Sequence, residues 1–107
     1  MEDTQYHTLA DATLTHCHDR LEPGFDAGSI DDLEFKPGIL TIRCRSGRVY
    51  VLSKHAPTQQ LWYASPRQGG LHFRYDAAGE KWHLPDGRNM AETLAADMSH
   101  EGIEVAL

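Results

Sequence analysis

The chain has 107 residues, the size of one domain, and its 40% hydrophobic and 24% charged residues suit a folded protein and exclude a disordered one. A formal charge of −6 excludes the basic footprint of a general nucleic-acid binder, and no apolar run is long enough to span a bilayer. The start Met1-Glu2-Asp3-Thr4 lacks the basic and apolar stretches of a leader, and Cys17 and Cys44 are too few for a disulfide framework, so a cytoplasmic protein is expected.

The first predicted element is a helix. Asp3 or Thr4 is the expected N-cap, and Tyr6, Leu9, Ala10, Thr13, Leu14, Cys17 and Leu21 recur at spacings of three and four, the stripe of an amphipathic helix. Pro23-Gly24 is expected to end it. The period then changes to two. Leu33 and Phe35 alternate with Asp32 and Glu34; after Pro37-Gly38, Leu40, Ile42 and Cys44 alternate with Thr41 and Arg43. Ser46-Gly47 turns the chain into Val49 to Leu52, and further strands are expected at Gln60–Ala64, Leu71–Tyr75 and Lys81–Leu84. Asn89 can cap a second helix with Met90, Ala91, Leu94, Ala95 and Met98 on its apolar face, ended by Gly102. Terminal helices around hairpin-linked strands imply one domain over residues 1–107. The expected class is α+β, a two-layer sandwich with both helices on one face of a roughly six-stranded antiparallel sheet.

Charge is unevenly spread. Residues 1–35 hold nine carboxylates and one cation, a net of −8, while the rest hold nine cations and seven carboxylates, a net of +2. On the first helix His7, Asp11, His18 and Glu22 fall within about 60° of one another on the wheel, with Asp3 and Asp19 flanking them. Carboxylates plus imidazole suit a divalent first-row metal, and Asp26, Asp31, Asp32 and Glu34 extend the row if the first strand lies beside the helix. A polar face away from the core is required in any case, so periodicity alone leaves metal binding and a solvated surface both open. Cys17 falls on the apolar stripe and Cys44 beside Leu40 and Ile42, so both read as core. On the sheet, parity places Gln60, Trp62, Thr41, Arg43, Val49, Val51, His72 and Arg74 on the outer face, where an exposed tryptophan among cations has the makeup of a partner-binding hot spot. His55, His83 and His100 read as ordinary surface residues. No serine-nucleophile, phosphate-loop or His-Glu-x-x-His pattern is present.

The stretch Ala56-Pro57-Thr58-Gln59-Gln60-Leu61-Trp62-Tyr63-Ala64-Ser65-Pro66, followed by Gly69-Gly70 and the strand ending at Phe73, resembles the frataxin family. Tyr6-His7-x-Leu9-Ala10-Asp11 and Gly38-Ile39-Leu40-Thr41-Ile42 fit the same pattern, so the resemblance covers nearly the whole chain. It implies an iron-binding protein of iron–sulfur cluster assembly that holds Fe(II) or Fe(III) weakly along an acidic ridge on the first helix and edge strand. It also implies docking on the cysteine desulfurase and scaffold machinery, with Trp62 as the family's exposed sheet tryptophan. The ridge carried over by position is Asp3, His7, Asp11, Asp19, Glu22, Asp26, Asp31, Asp32 and Glu34. His18-Asp19 stands where paired acids are usual and Glu22-Pro23 where two acids are usual, so this ridge is richer in imidazole. Binding is therefore expected to weaken below about pH 6.5, and cobalt or zinc should substitute more readily.

The expected protein is a non-enzymatic iron donor or regulator, a monomer that metal could assemble. Asp19 and Glu22 would serve both iron and partner, while Gln60, Trp62, Arg43, His72 and Arg74 contact the machinery. The alternatives are a ferroxidase with iron storage and a metal-independent interaction module.

Overall fold

The structure, a computed structural model describing residues 1–107, begins with helix α1 (Asp3–Asp26). Tyr6, Ala10, Leu14, Cys17 and Leu21 are its buried stripe, at spacings of three and four. Its ends differ from expectation. Glu2 is the N-cap and offers no side-chain bond, and the Asp3 carboxylate, one residue inside the helix, accepts from Gln59 Nε2 at 2.9 Å. Pro23 lies inside the helix, which runs on to Asp26. A proline removes one N–H and crowds the carbonyl four residues back. Here packing of the last turn prevails: a Cβ on Gly24 would lie 3.1 Å from Ile30 Cδ1 and 3.4 Å from Ile103 Cγ2, and Pro23 O still accepts from Ala27 N at 2.9 Å.

Six strands follow in a meander: β1 (Ile30–Lys36), β2 (Ile39–Cys44), β3 (Val49–His55), β4 (Gln60–Ser65), β5 (Gly69–Asp76) and β6 (Lys81–His83). Each pairs antiparallel with the next, so sheet order is chain order. Gly38 and Gly47, at φ of 78° and 93°, take the left-handed positions that the first two hairpins require. A short 3-10 turn, Ala56–Thr58, joins β3 to β4 and ends at Gln59, itself left-handed at φ 53°.

Leu40, Ile42, Cys44, Tyr50, Leu52, Leu61, Tyr63, Phe73 and Trp82 point from the sheet toward the helices and are buried. Together with both helix stripes they form a core of 20 residues, in which each fully buried large side chain contributes about 1.5–3 kcal/mol.

Helix α2 (Met90–His100) starts as expected, with Asn89 Oδ1 accepting from Glu92 N at 2.8 Å. Two carboxylates fasten it to the sheet. Asp97, fully buried, accepts from Tyr63 Oη (2.5 Å), Ser65 Oγ (2.8 Å), Arg67 Nη1 (2.8 Å) and Gln68 Nε2 (2.9 Å). Glu101 accepts from Ser46 Oγ, Arg48 Nε and Tyr50 Oη, tying the helix end to the β2–β3 turn. The tail returns over α1, where Arg20 Nε donates to Ala106 O at 2.9 Å and Ile103 is buried. No helix is long and apolar enough to cross a membrane.

Candidate functional site

The apolar stripe of α1 rests on the core, so its ligand-bearing face is turned to water along the β1 edge of the sheet. Of the expected metal ligands, the structure brings three into one group: His18, Asp19 and Glu22, whose nearest ligand atoms all lie within 4.8 Å of one another. His18 Nδ1 is 3.1 Å from Asp19 Oδ1 and 3.7 Å from Glu22 Oε1. Ionised carboxylates only accept, so Nδ1 carries the proton in that contact. Roughly 3 Å is the spacing of adjacent ligand atoms around an ion with bonds near 2.1 Å, so one pair already has it. The carboxylates are 62% and 56% exposed and open to an entering ion, whereas the imidazole is 23% exposed. Phe35 of β1 stacks on that imidazole, with centroids 5.1 Å apart and planes 25° apart.

The other expected ligands do not join this group. Asp3 is held by Gln59, and Asp11 receives Lys54 Nζ at 2.8 Å, a charge reaching over from β3. His7, half-buried, lies against the Tyr6 ring with centroids 5.1 Å apart. Asp26 sits at the end of α1. Asp32 and Glu34 alternate with Leu33 and Phe35, which lie on the helix side, so these two carboxylates take the opposite face of β1, and Glu34 pairs with Lys36 at 3.2 Å. Asp31 falls at the register shift between Ile30 and Asp32. The sequence therefore marks a long row, and the fold divides it. Lys54 and Lys36 do the dividing, and neither is flagged by helix periodicity. Phe35 was the readable signal: an aromatic on the helix side of an edge strand covers whatever α1 places above it.

Both thiols are buried in the core beneath the helix and take no part in this group. Burial pushes Cys17 up to about 12, and burial, with the charge of Glu101, pushes Cys44 up to about 11, so neither supplies a thiolate at neutral pH.

The outer sheet face departs from expectation at its centre. Gln60 is buried, not solvent-facing, and Trp62 is half-buried. His55, expected to be plain surface, stacks on one face of the Trp62 indole at 3.6 Å, and His72 on the other at 4.3 Å, both with planes 10° apart. Trp62 Nε1 donates to Gln60 Oε1 at 2.8 Å, which is why Gln60 is drawn in. His83, likewise expected at the surface, is half-buried with Nε2 enclosed and unpartnered. Arg43 and Arg74 are exposed on this face as parity predicts.

A family model for the frataxin-like domain matches residues 1–103. The chain belongs to the frataxin family. Its similar relatives include proteins named iron–sulfur cluster assembly protein CyaY. That of Pseudomonas paraeruginosa is 39% identical over 105 residues, 97% of this chain and 90% of the relative. That of Pseudomonas fluorescens is 33% identical over 102 residues, covering 94% and 88%. Frataxin from Psychromonas ingrahamii shares the fold at a TM-score of 0.83 over 98% of this chain and 96% of that one, with 20% identity. Trimeric frataxin from the yeast Saccharomyces cerevisiae, complexed with ferrous iron, superposes at 0.76 over 87% and 84%, with 29% identity. The two helices and six-stranded antiparallel sheet are the frataxin fold.

Proposed function

We propose that this protein takes part in iron–sulfur cluster assembly, binding iron weakly at His18, Asp19 and Glu22 and docking on the assembly machinery, the cysteine desulfurase in particular. The observation that carries the iron site is the convergence of those three side chains on an open edge. The names of the curated relatives support the pathway, and the ferrous complex of the yeast frataxin supports the ion. Iron here is cargo. Two largely exposed carboxylates and one partly covered imidazole form a loose site suited to receiving an ion and surrendering it.

In the free protein His18 Nδ1 donates to its carboxylate neighbours. The same nitrogen must offer its lone pair to a metal, so the ring proton moves to Nε2 on binding, and an imidazolium, which has no lone pair to offer, cannot bind, so binding weakens with acidity. The imidazole also makes cobalt or zinc workable surrogates. Asp19 and Glu22 project far enough to meet a basic partner surface as well, and one charge pattern then serves two contacts. Cytoplasmic residence and a regulatory or donor role, without enzymatic turnover, complete the reading. Iron oxidation at the rate of buffer alone is expected, and a faster rate would favour the ferroxidase reading.

The test is an anaerobic Fe(II) titration followed residue by residue by NMR. Perturbations centred on His18, Asp19 and Glu22 are expected, with affinity lowered about fivefold or more in His18→Ala. Saturable perturbations centred on Asp31, Asp32 and Glu34 instead would overturn the assignment.

A further inference from the structure

Away from the edge strand β1, whose Asp32, Glu34 and Lys36 share it, the outer face of the sheet is positive in a protein that is negative overall. From β2 through Arg74 of β5 its charged or titratable side chains are Arg43, His55, His72 and Arg74, with no carboxylate among them. The first acid along β5 is Asp76, opposite Lys81 of β6. Apolar side chains lie on the same face, with Ile39 44% and Val49 36% exposed.

The centre of this face is closed to a partner that would seek the indole. Imidazoles cover both faces of Trp62, and its N–H is committed to Gln60 Oε1. The Thr58 hydroxyl donates to that same oxygen at 2.8 Å, so Thr58 Oγ1 can only accept from His55 Nδ1, 2.7 Å away. His55 is therefore protonated on Nδ1, and its Nε2 keeps a free lone pair. An arriving molecule meets the edges of two imidazoles flanked by Arg74.

We infer that the outer sheet face receives an acidic segment of a partner protein, seated on His55, His72 and Arg74, and that this contact tightens when the two imidazoles take up protons. The inference rests on the docking on the assembly machinery proposed above, and it adds the outer sheet face, the partner's chemistry and a proton control. A proton on His55 Nε2 turns an acceptor into a charged donor, and an imidazolium lying on an indole face is held there by the ring's negative quadrupole. The stack therefore accommodates the charge. The other cationic or titratable groups sharing this face with the two imidazoles are Arg74 on β5, Arg43 on β2, and Lys81 and His83 on β6. Of the carboxylates around this face, Asp3 is held by Gln59 at the helix end, Glu34 pairs with Lys36 on β1, Asp32 lies opposite Arg43 at the far edge of the sheet, and Asp76 faces Lys81 across the β5–β6 register. Carboxylates from outside supply what the part of this face around His55, His72 and Arg74 lacks, so proton uptake and docking are linked.

The experiment is an NMR titration of the full chain with hexaglutamate at about pH 6 and about pH 8, reading the Trp62 indole N–H, resolved from that of Trp82, and the β4 and β5 amides. Expected are perturbations confined to the outer face, at least about fivefold tighter at the lower pH, and a ratio below about twofold in the His55→Gln, His72→Gln double variant. Amide dispersion reports whether the variant remains folded, and should it not, each single variant is expected to lose part of the ratio. Undiminished pH dependence in the variants overturns the proton control. Absence of outer-face perturbation at either pH overturns the acidic partner, while co-precipitation of the desulfurase and scaffold by Trp62→Arg separately decides whether this face docks at all. Slowed diffusion at about pH 6 without peptide would place a second copy's acidic ridge there and overturn the choice of occupant.

Discussion

At the scale of single residues, environment decides what each ionisable group can do. Asp11 and Asp19 are both exposed carboxylates on α1, yet Asp11 carries Lys54 and Asp19 carries only a neighbouring imidazole. Asp11→Asn is therefore expected to change iron affinity by less than about twofold, while Asp19→Asn should cost about fivefold or more, both read in the same titration. Equal losses would mean that the whole row binds as one. The cysteines give a second expectation. Burial raises both thiols, so each stays protonated in the folded protein at pH values where an unfolded thiol ionises. Reaction with a thiol reagent at about pH 8 should therefore follow global unfolding, and stability should fall as pH rises above about 9. Fast labelling of the native protein would contradict the burial of either residue.

At the scale of elements, α2 is held by charge as much as by its apolar face. Asp97 is buried with four donors, so Asp97→Ala should cost about 3–5 kcal/mol in chemical denaturation, leaving Arg67 and Tyr63 without their acceptor. Glu101 carries a pH signature. Burial pushes it up, but hydrogen bonds from Arg48, Ser46 and Tyr50 prevail and hold it at about 2. A carboxyl lowered on folding stabilises above its unfolded value near 4.5, and that contribution is lost as pH falls toward 2. Glu101→Gln should remove about 1–3 kcal/mol at neutral pH and flatten the acid limb of the stability curve.

Much of this architecture was legible in the sequence because local signals agreed with the global fold: the stripe of α1, Gly38 and Gly47 at the hairpins, Asn89 ahead of α2. Pro23 was misread because its cost is local, while the gain comes from Ile30 and Ile103, distant in sequence. Parity placed Trp62 and His72 on the outer face but could not reveal the rings of His72, directly opposite, and His55, on the diagonal, stacked on the indole, since such stacks depend on rotamers. The ligand row was visible as a period, but its division by Lys54 and Lys36 depends on where other strands end.

At the scale of the molecule, the body measures 39 × 27 × 21 Å and separates its charges, with an acidic edge on α1 and β1 and a positive outer face from β2 to Arg74 of β5. Docking through the acidic edge should be electrostatically steered. Association with the desulfurase is then expected to weaken about tenfold or more between low and high salt, mainly in on-rate, as measured by surface binding kinetics. The double reversal Asp19→Lys, Glu22→Lys should impair iron binding and docking together. Loss of one without the other would assign the two contacts to different residues.

On α1 the buried Cys17 and Leu21 interleave with His18, Asp19 and Glu22 along the same few turns. Backbone placement is thus dictated from beneath, and the groups above it are free to be exchanged. A substitution such as His18→Glu would retune the ion preferred, from softer toward harder, while leaving the scaffold almost indifferent. Metal preference and foldedness can drift independently in such a molecule, and its descendants could change cargo without first having to survive a loss of stability.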